Sequence, residues 1–148
     1  MRETAVALIS AFFGSLGFSL LFGLRRGLLI PASLGGVLCW GVYLVAGSLT
    51  PDVFAQCLIA SAFSALYAEV LAHVLHAPVT LFFIPSVVPL VPGGSLFYAM
   101  QFAVAKDLDS AAAYGRTTAL ITLGIAVGIS LVWALCYMSD HLHEKLRR

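Results

Sequence analysis

Charged side chains are scarce in this chain. Only 10% of its 148 residues are Asp, Glu, Lys or Arg, whereas 61% are hydrophobic and the mean hydropathy is +1.00. Soluble domains carry about 25% charged residues, so a water-soluble fold of this length would have too little polar surface. The composition therefore predicts an integral membrane protein. A net charge of +1 also excludes the strongly basic face that a nucleic-acid-binding protein needs.

Cysteine is rare as well, and its spacing fits none of the common metal or redox motifs. Cys39, Cys57 and Cys136 lie in apolar stretches without a C-x-x-C pair, which favours a packing role over a disulfide, a metal site or a nucleophile. The chain has no G-x-x-x-x-G-K-[ST] motif, so it is not expected to hydrolyse nucleotides. We therefore expect a protein that is not an enzyme and that needs no cofactor or metal.

Apolar windows of about 20 residues divide the chain into transmembrane spans. They predict an all-α integral membrane protein with one membrane domain, residues 1–148, and about five transmembrane helices. The predicted spans are 4–24, 28–49, 50–75, 78–105 and 114–138. Thr50, Pro51 and Asp52 predict the start of the third helix, since Thr can cap it, Pro suits its first position and Asp favours its positive end.

The basic residues predict how the chain is oriented, because they are enriched in cytoplasmic loops. With five crossings and the N-terminus outside, five of the basic residues are cytoplasmic and three are outside; the cytoplasmic ones are Arg25, Arg26, Lys145, Arg147 and Arg148. If residues 78–105 form a re-entrant hairpin instead, four crossings remain and the basic residues divide equally. The five-crossing topology, with a cytoplasmic C-terminus, is therefore preferred.

The fourth predicted span carries four prolines and two glycines between Pro78 and Gly94. Each internal proline removes an N–H donor and clashes with the preceding turn, so a regular helix is not expected. Residues 85–95 are predicted to be non-helical, with a new helix beginning at Leu96. In hydrocarbon such backbone survives only when it is buried in protein or lines a cavity, and transporters often hold their substrates there. The alternative is a structural kink that only helps helices to pack.

A helix that begins inside the membrane can bind a carboxylate through its N–H groups and its dipole, without a cationic side chain. Lys and Arg are confined to the loops and span ends of this chain, so backbone donors and polar side chains would have to hold an anionic substrate. The candidate substrate-binding residues are Thr80, Ser86, Pro89, Pro92, Gly93, Gly94, Ser95 and Gln101. Because glycine reaches backbone angles closed to other residues, Gly93→Val is expected to block a required conformation.

Three ionisable residues share one face of the third predicted helix. Glu69, His73 and His76 are spaced i, i+4 and i+7, an arrangement that could relay protons. Glu69 lies about 27 Å along the helix axis from Pro51 at 1.5 Å per residue, which places it near the cytoplasmic interface. A proton-coupling role and an interfacial anchor therefore both remain open. The two histidines lack the partners of a zinc site.

Small residues recur four apart in three of the predicted spans. The pairs are Ser10 with Gly14, Ala60 with Ser64, and Gly124 with Gly128. Such pairs let helix backbones approach closely in lipid. They can serve packing within the chain or contact with another chain, and the sequence leaves both open.

One series of motifs resembles the threonine/serine exporter family, in particular the short subunit of its split, two-component branch. It runs through His76-Ala-Pro78, Ile84-Pro85, Pro89-Leu-Val-Pro92-Gly93 and Tyr98-Ala-Met100. The resemblance covers nearly the whole chain, including an arginine-bearing first loop and a basic C-terminus. One difference is Ser86, which follows Pro85 where the family pattern leads us to expect glycine.

The resemblance implies a secondary exporter in the bacterial inner membrane that is driven by the proton motive force. The expected substrates are small hydroxy amino acids such as threonine and serine, or dicarboxylates such as succinate. The expected partners are membrane lipid and a larger subunit of the same exporter family, or further copies of this chain. The alternative function is a non-transporting subunit that assembles or stabilises a larger transporter.

Overall fold

The chain is all-α in a computed structural model that describes residues 2–146, with side chains described for residues 2–138. Its helices are α1 (Arg2–Leu21), α2 (Arg26–Leu49), α3 (Val53–Leu75), α4 (Thr80–Val87), α5 (Gly93–Val104) and α6 (Leu108–Leu146). A single 3₁₀ turn, Val88–Leu90, follows α4. The four longest helices are long and apolar enough to cross a membrane, which confirms the predicted fold class.

Local chemistry fixes both ends of α3. The Asp52 side chain accepts a hydrogen bond from the Phe54 N–H at 3.2 Å, so Asp52 is the N-cap and satisfies one of the unpaired N–H groups of the first turn. The prediction that Thr50 caps this helix and Pro51 opens it was therefore wrong by about two residues. At the other end His76 adopts a left-handed backbone conformation with φ of 50° and ends the helix.

The fourth span is broken, as predicted, but the break lies later than expected. Pro85 and Ser86 belong to α4, and the helical path stops at Val91 and Pro92 before α5 begins at Gly93 rather than at Leu96. The predicted non-helical segment 85–95 was therefore wrong over most of its length. The spacing of the prolines gives the reason. They lie about one helical turn apart, and each lacks the N–H that a helical residue would donate. The chain first tightens into the 3₁₀ turn, where the Val91 N–H donates to the Val88 carbonyl at 3.1 Å. It then breaks at Pro92.

The two halves of this span have different surroundings. The α4 half packs against α1, α2 and α3, whereas the α5 half packs against α6, which in turn packs against α3. Several α4 residues are buried, including Phe82, Phe83 and Pro85, but α5 has no buried residue. The break therefore lies where the chain leaves the centre of the bundle for its edge.

The direction of the chain across the break favours five crossings. Residues Thr80–Leu90 and Gly93–Val104 meet at a bend of 47°, so both halves run in the same general direction, whereas a re-entrant hairpin would reverse the chain. At 1.5 Å per residue the halves are about 16 Å and about 18 Å long. Together they match a hydrocarbon core of about 30 Å, with the break near its middle.

The helix-packing role of the small residues differs from pair to pair. A Cβ added to Gly124 would lie 2.6 Å from the Phe54 carbonyl oxygen, and one added to Gly128 would lie 2.5 Å from the Leu58 carbonyl oxygen. These two glycines therefore let α6 approach α3 closely, within the chain. Ser10 and Gly14, in contrast, are exposed on α1, and a Cβ on Gly14 would meet nothing within 4 Å.

Candidate functional site

Four helices meet at Gly35 and Gly36 in α2, which we call the glycine junction. A Cβ on Gly36 would overlap the Ser15 hydroxyl of α1 and lie 3.3 Å from the Pro85 carbonyl oxygen. A Cβ on Gly35 would overlap the Ser86 hydroxyl and lie 2.8 Å from Cε1 of Tyr67 in α3. Both glycines are buried. The junction thus exists because α2 presents two residues without side chains to its neighbours.

The departure at Ser86 from the family pattern is accommodated at this junction. Ser86 is fully buried and its hydroxyl donates to the Phe82 carbonyl of its own helix at 2.6 Å. The close approach of backbones occurs all the same, because the facing residue on α2 is glycine. The small residue that this contact needs is Gly35, on the opposite helix.

Three buried polar groups in this part of the bundle have no hydrogen-bond partner within the described chain, and one of them is the Ser64 hydroxyl of α3. The Ser15 hydroxyl is fully buried and unpaired, and the indole N–H of Trp40 is also buried and unpaired. A buried polar group without a partner costs about 1–3 kcal/mol, so each such group requires an explanation. The buried Ser19 hydroxyl, in contrast, donates to the Ser15 carbonyl at 2.8 Å.

A backbone acceptor at the junction lacks the N–H donor that a regular helix would give it. In a helix the Pro85 carbonyl would accept from the N–H of residue 89, but residue 89 is proline and has none. Within the described chain, therefore, this carbonyl lacks its usual helical donor, and it lies beside Gly36. Ser15, Trp40 and Pro85 thus contribute two donors and one acceptor to the same region.

A cleft of about 290 Å³ borders this region between α1, α2 and the 3₁₀ turn. It is lined by Ala7, Ser10, Ala11, Gly14, Trp40, Val88 and Pro89. Ala11 lies at the middle of α1, a helix of 20 residues, and Pro89 lies shortly before the break, so the cleft lies at about the middle of the spans. Transporters commonly bind their substrates at this depth, beside interrupted helices.

The cleft and the glycine junction are one helical turn apart on the same helix faces. Ser15 follows Ala11 by four residues, Gly36 precedes Trp40 by four, and Pro85 precedes Pro89 by four, and residues four apart share a helix face. One turn corresponds to about 5.4 Å. The junction therefore lies about one helical turn from the residues that line the cleft.

Of the predicted substrate-binding residues, Ser86 and Pro89 belong to this region. Ser86 packs at the junction and Pro89 lines the cleft, and Pro92 marks the break itself. Thr80 lies apart, exposed in the first turn of α4.

The remaining predicted substrate-binding residues lie on α5. Gly93, Gly94 and Gln101 are exposed. Ser95 is partly buried and joins α5 to α6, because the Thr118 hydroxyl donates to its hydroxyl at 3.0 Å. These residues and those of the junction are therefore not brought into one pocket by the described chain.

The two glycines at the start of α5 do not have the backbone conformation that was expected. Within the described chain Gly23 alone among the glycines has a positive φ, so Gly93 and Gly94 need no special angles. A Cβ on either would meet nothing within 4 Å. The expectation that Gly93→Val would block a conformation was wrong, and the N-terminus of α5 is not enclosed by other residues of the described chain.

The predicted relay residues occupy a second cleft, of about 580 Å³, between α3 and α6. It is lined by Leu66, Glu69, Val70, His73, Val74, Trp133, Cys136 and Tyr137. The His73 ring nitrogen Nδ1 lies 2.9 Å from the Glu69 carbonyl oxygen, which can only accept, so Nδ1 is the donor in this hydrogen bond. His76 does not line this cleft. The first cleft and this one share no lining residue.

Sequence reasoning missed the residues of the glycine junction. Ser15, Gly35, Gly36 and Trp40 were not selected, although a Gly-Gly pair in the middle of a span signals close helix contact. What the sequence does not give is which helix faces that pair, and hence that Ser15 and the Pro85 carbonyl meet there.

An all-α, multi-pass membrane protein whose interrupted helix ends beside a midplane cleft has the architecture of a secondary transporter. A family model described as Threonine/Serine exporter, ThrE, matches residues 7–135. The chain therefore belongs to the threonine/serine exporter family, which confirms the resemblance seen in its sequence and makes it an exporter-type membrane transporter. Comparisons with curated proteins and with solved structures found no match.

Proposed function

We propose that this chain is one subunit of a secondary exporter that moves a small polar solute out across the bacterial inner membrane. The expected solutes are the hydroxy amino acids threonine and serine, or small dicarboxylates such as succinate. The observation that carries the proposal is the cleft that meets the broken span at the middle of the membrane. Family membership supports export of this kind.

The substrate is expected to bind beside the break, between α1, α2 and the 3₁₀ turn. Pro89 and Pro92 interrupt the helix there, and Ser86 packs one turn further in. Gly93, Gly94, Ser95 and Gln101 on α5, and Thr80 at the start of α4, are proposed to contact the substrate in another state of the transport cycle. That state would bring the exposed α5 towards the bundle.

Glu69 and His73 are proposed to couple export to protons through the second cleft. His76, at the C-terminal end of α3, is proposed to take part in the same coupling. The carboxylate and the imidazole line one cleft, and both side chains can bind and release a proton. Coupling through this cleft requires the two sites to act on a shared conformational change, because they have no lining residue in common. The link between them is α3, which packs against both α4 and α6.

A larger partner subunit is proposed to cover α5. The helix packs against α6 and exposes Leu96, Phe97, Met100 and Val104. Backbone N–H groups at its N-terminus also need a partner inside a membrane, and the described chain does not enclose them. The partner, rather than lipid, would then complete the far wall of the substrate pathway.

The proposed orientation places the N-terminus outside and the C-terminal tail in the cytoplasm. Reporter fusions in the loop between α3 and α4 and in the loop between α5 and α6 should show opposite sidedness, because the broken span lies between them, and a fusion after Arg148 should report the cytoplasm. The same sidedness at both sites would replace five crossings by four.

Reconstitution tests the proposed function. Proteoliposomes are prepared with the chain alone and with the chain plus a larger subunit of the same exporter family, and are loaded with radiolabelled threonine, serine or succinate. Under an imposed proton gradient, the pair should export at least one solute and the single chain should not. Export by the larger protein alone, at the rate of the pair, would favour the non-transporting, stabilising subunit and contradict the proposal.

A further inference from the structure

We infer that the cleft between α3 and α6 binds a phospholipid whose headgroup carries a primary ammonium group, as phosphatidylethanolamine does. The cleft has a volume of about 580 Å³ and is formed by the C-terminal half of α3 and by Trp133, Cys136 and Tyr137 of α6. The inference concerns a lipid that is bound to the resting protein. It is therefore separate from the proposed export of a solute and can fail without it.

The apolar wall of the cleft opens on the outer surface of the bundle. Its α3 residues stay largely exposed, with 53% of Leu66, 55% of Val70 and 68% of Val74 accessible, and Trp133 on α6 is 44% exposed. In a membrane, an outward-facing apolar surface meets acyl chains. A lipid chain can therefore lie along this wall without displacing a contact between helices.

The polar end of the cleft lies at the depth of lipid headgroups. His76 ends α3 and is seven residues beyond Glu69, about 10 Å at 1.5 Å per residue. Trp133 and Tyr137 line the same cleft, and these two residue types are enriched where a membrane meets water. Leu66 lies on the opposite side of Glu69, further from the end of the helix. One molecule with a polar head and an apolar tail therefore fits the cleft in a single direction.

The two polar side chains that α3 contributes are both hydrogen-bond acceptors. Glu69 and His73 are four residues apart, so they are neighbours on the helix surface, with about 5–6 Å between their Cβ atoms. The Glu69 carboxylate can only accept. Because Nδ1 of His73 donates to the Glu69 carbonyl oxygen at 2.9 Å, Nε2 of the neutral ring is an acceptor as well. The cleft has no Lys or Arg among its lining residues that would pair with the carboxylate.

A primary ammonium group meets the requirements of this pair. It carries one positive charge and three N–H donors, as the lysine side chain does, so it can bind the carboxylate and the ring nitrogen together. A choline headgroup has the same charge but no N–H donor, and a glycerol headgroup has no positive charge. The cleft should therefore prefer phosphatidylethanolamine to phosphatidylcholine and to phosphatidylglycerol.

Quenching of Trp133 fluorescence by lipids with brominated acyl chains tests this preference. The chain has two tryptophans, so Trp40→Phe leaves Trp133 as the only emitter. The full-length variant is reconstituted in phosphatidylcholine bilayers that contain increasing fractions of brominated phosphatidylethanolamine or brominated phosphatidylglycerol. We expect phosphatidylethanolamine to bind beside Trp133 about fivefold more tightly than phosphatidylcholine, as one interfacial ion pair would give. Phosphatidylglycerol should show no such gain.

Matched variants assign the preference to the two acceptors. In the Trp40→Phe background, Glu69→Gln should remove the preference, and His73→Asn should lower it at least twofold. His76→Asn is the control for His73→Asn, because His76 lies on the same helix but does not line the cleft. Asn also tolerates the left-handed backbone at that position, so the preference should not change. Trp133→Phe leaves Trp40, beside the other cleft, and its quenching should not distinguish the lipids.

Four results would overturn the inference. The first is equal quenching of Trp133 by the brominated forms of phosphatidylethanolamine and phosphatidylcholine, and the second is an equal effect of His73→Asn and His76→Asn. The third is loss of the preference in millimolar free ethanolamine, which would make a soluble amine the ligand. The fourth is its loss when the larger subunit is added, which would make the cleft a protein interface. Because quenching requires no transport, none of these results bears on export by the reconstituted pair.

Discussion

Single atoms decide the packing at the glycine junction. A methyl group on Gly36 would overlap the Ser15 hydroxyl, whereas one on Gly41, on the same helix, would meet nothing within 4 Å. Close-packed interiors resist added volume, and overpacking costs about 1–3 kcal/mol. The same substitution should therefore have opposite consequences at two positions in α2.

We expect Gly36→Ala to lower the free energy of unfolding by about 1–3 kcal/mol, measured by denaturation in mixed detergent micelles. Gly41→Ala should be neutral or slightly stabilising, because alanine is favoured over glycine in a helix by about 0.5–1 kcal/mol. Equal stability of the two variants would show that the junction is looser than its geometry implies.

Glu69 is the residue at which coupling can be tested most simply. If it carries protons through the α3–α6 cleft, Glu69→Gln should abolish the pH dependence of export and leave the protein folded at normal membrane levels. The neutral amide keeps the size of the side chain but cannot exchange a proton. An unchanged pH profile would instead assign Glu69 to an anchor at the membrane interface.

Among the elements, α6 has a start that depends on one carboxylate. Asp107 accepts a hydrogen bond from the Ser110 N–H at 3.2 Å, and hydrogen bonds from the Ser110 side chain and backbone lower the pKa of Asp107. Because the folded pKa is depressed, the stabilisation is present above the unfolded pKa, near 3.9, and is lost as the pH falls through the folded pKa.

We expect Asp107→Ala to fray the first turn of α6, seen as faster hydrogen exchange over 108–112 at neutral pH. The difference from wild type should shrink as the pH falls through the acidic range where wild-type Asp107 becomes protonated. Asp109→Ala is the control, since Asp109 lies in the same turn but makes no such cap. If both variants exchange alike, Asp107 does not cap the helix.

The break between α4 and α5 depends on Pro92 more than on Gly93. Pro92→Leu supplies an N–H that can bond the Val88 carbonyl and extend the helix through the break, so we expect loss of threonine export at near-normal membrane levels. Gly93→Val should lower export less than Pro92→Leu in the same proteoliposomes, because it leaves the break in place and Gly93 has an ordinary helical backbone and open surroundings. Loss of export in Gly93→Val alone would mean that a partner or substrate packs against that position.

The sequence predicts individual elements well and contacts between them poorly. Apolar length and proline spacing depend on one segment at a time, so the helices and the existence of the break could be predicted. The position of the break could not, because α4 tolerates Pro85 while it is held between α1, α2 and α3. The role of Ser15 depends on a glycine in another helix, and no pattern within α1 records that.

On the scale of the whole molecule, the chain has a well-packed half and an open half. The buried contacts of α1 to α4 surround the glycine junction, whereas α5 stands on the outside of α6 without a buried residue. A transporter needs both a fixed site and an element that can move relative to it. The division between α4 and α5 at Pro92 therefore matches the division between the proposed binding site and the proposed partner surface.

The central claim is that a small amino acid enters the cleft beside the break, and protection of a cysteine at position 10 tests it most directly. Ser10 is exposed and lines that cleft, and Ser10→Cys changes little in size. Cys136 lines the other cleft and serves as an internal control, while Cys39 and Cys57 are buried. Membranes containing the chain and its partner are treated with a thiol reagent, with and without L-threonine, and modification of each cysteine is quantified by mass spectrometry.

We expect threonine to slow the modification of Cys at position 10 severalfold, saturably, and to leave the rate at Cys136 unchanged. This difference within one molecule would place the substrate in the midplane cleft. An unchanged rate at position 10 under conditions in which threonine is exported, or protection at Cys136 instead, would contradict the account.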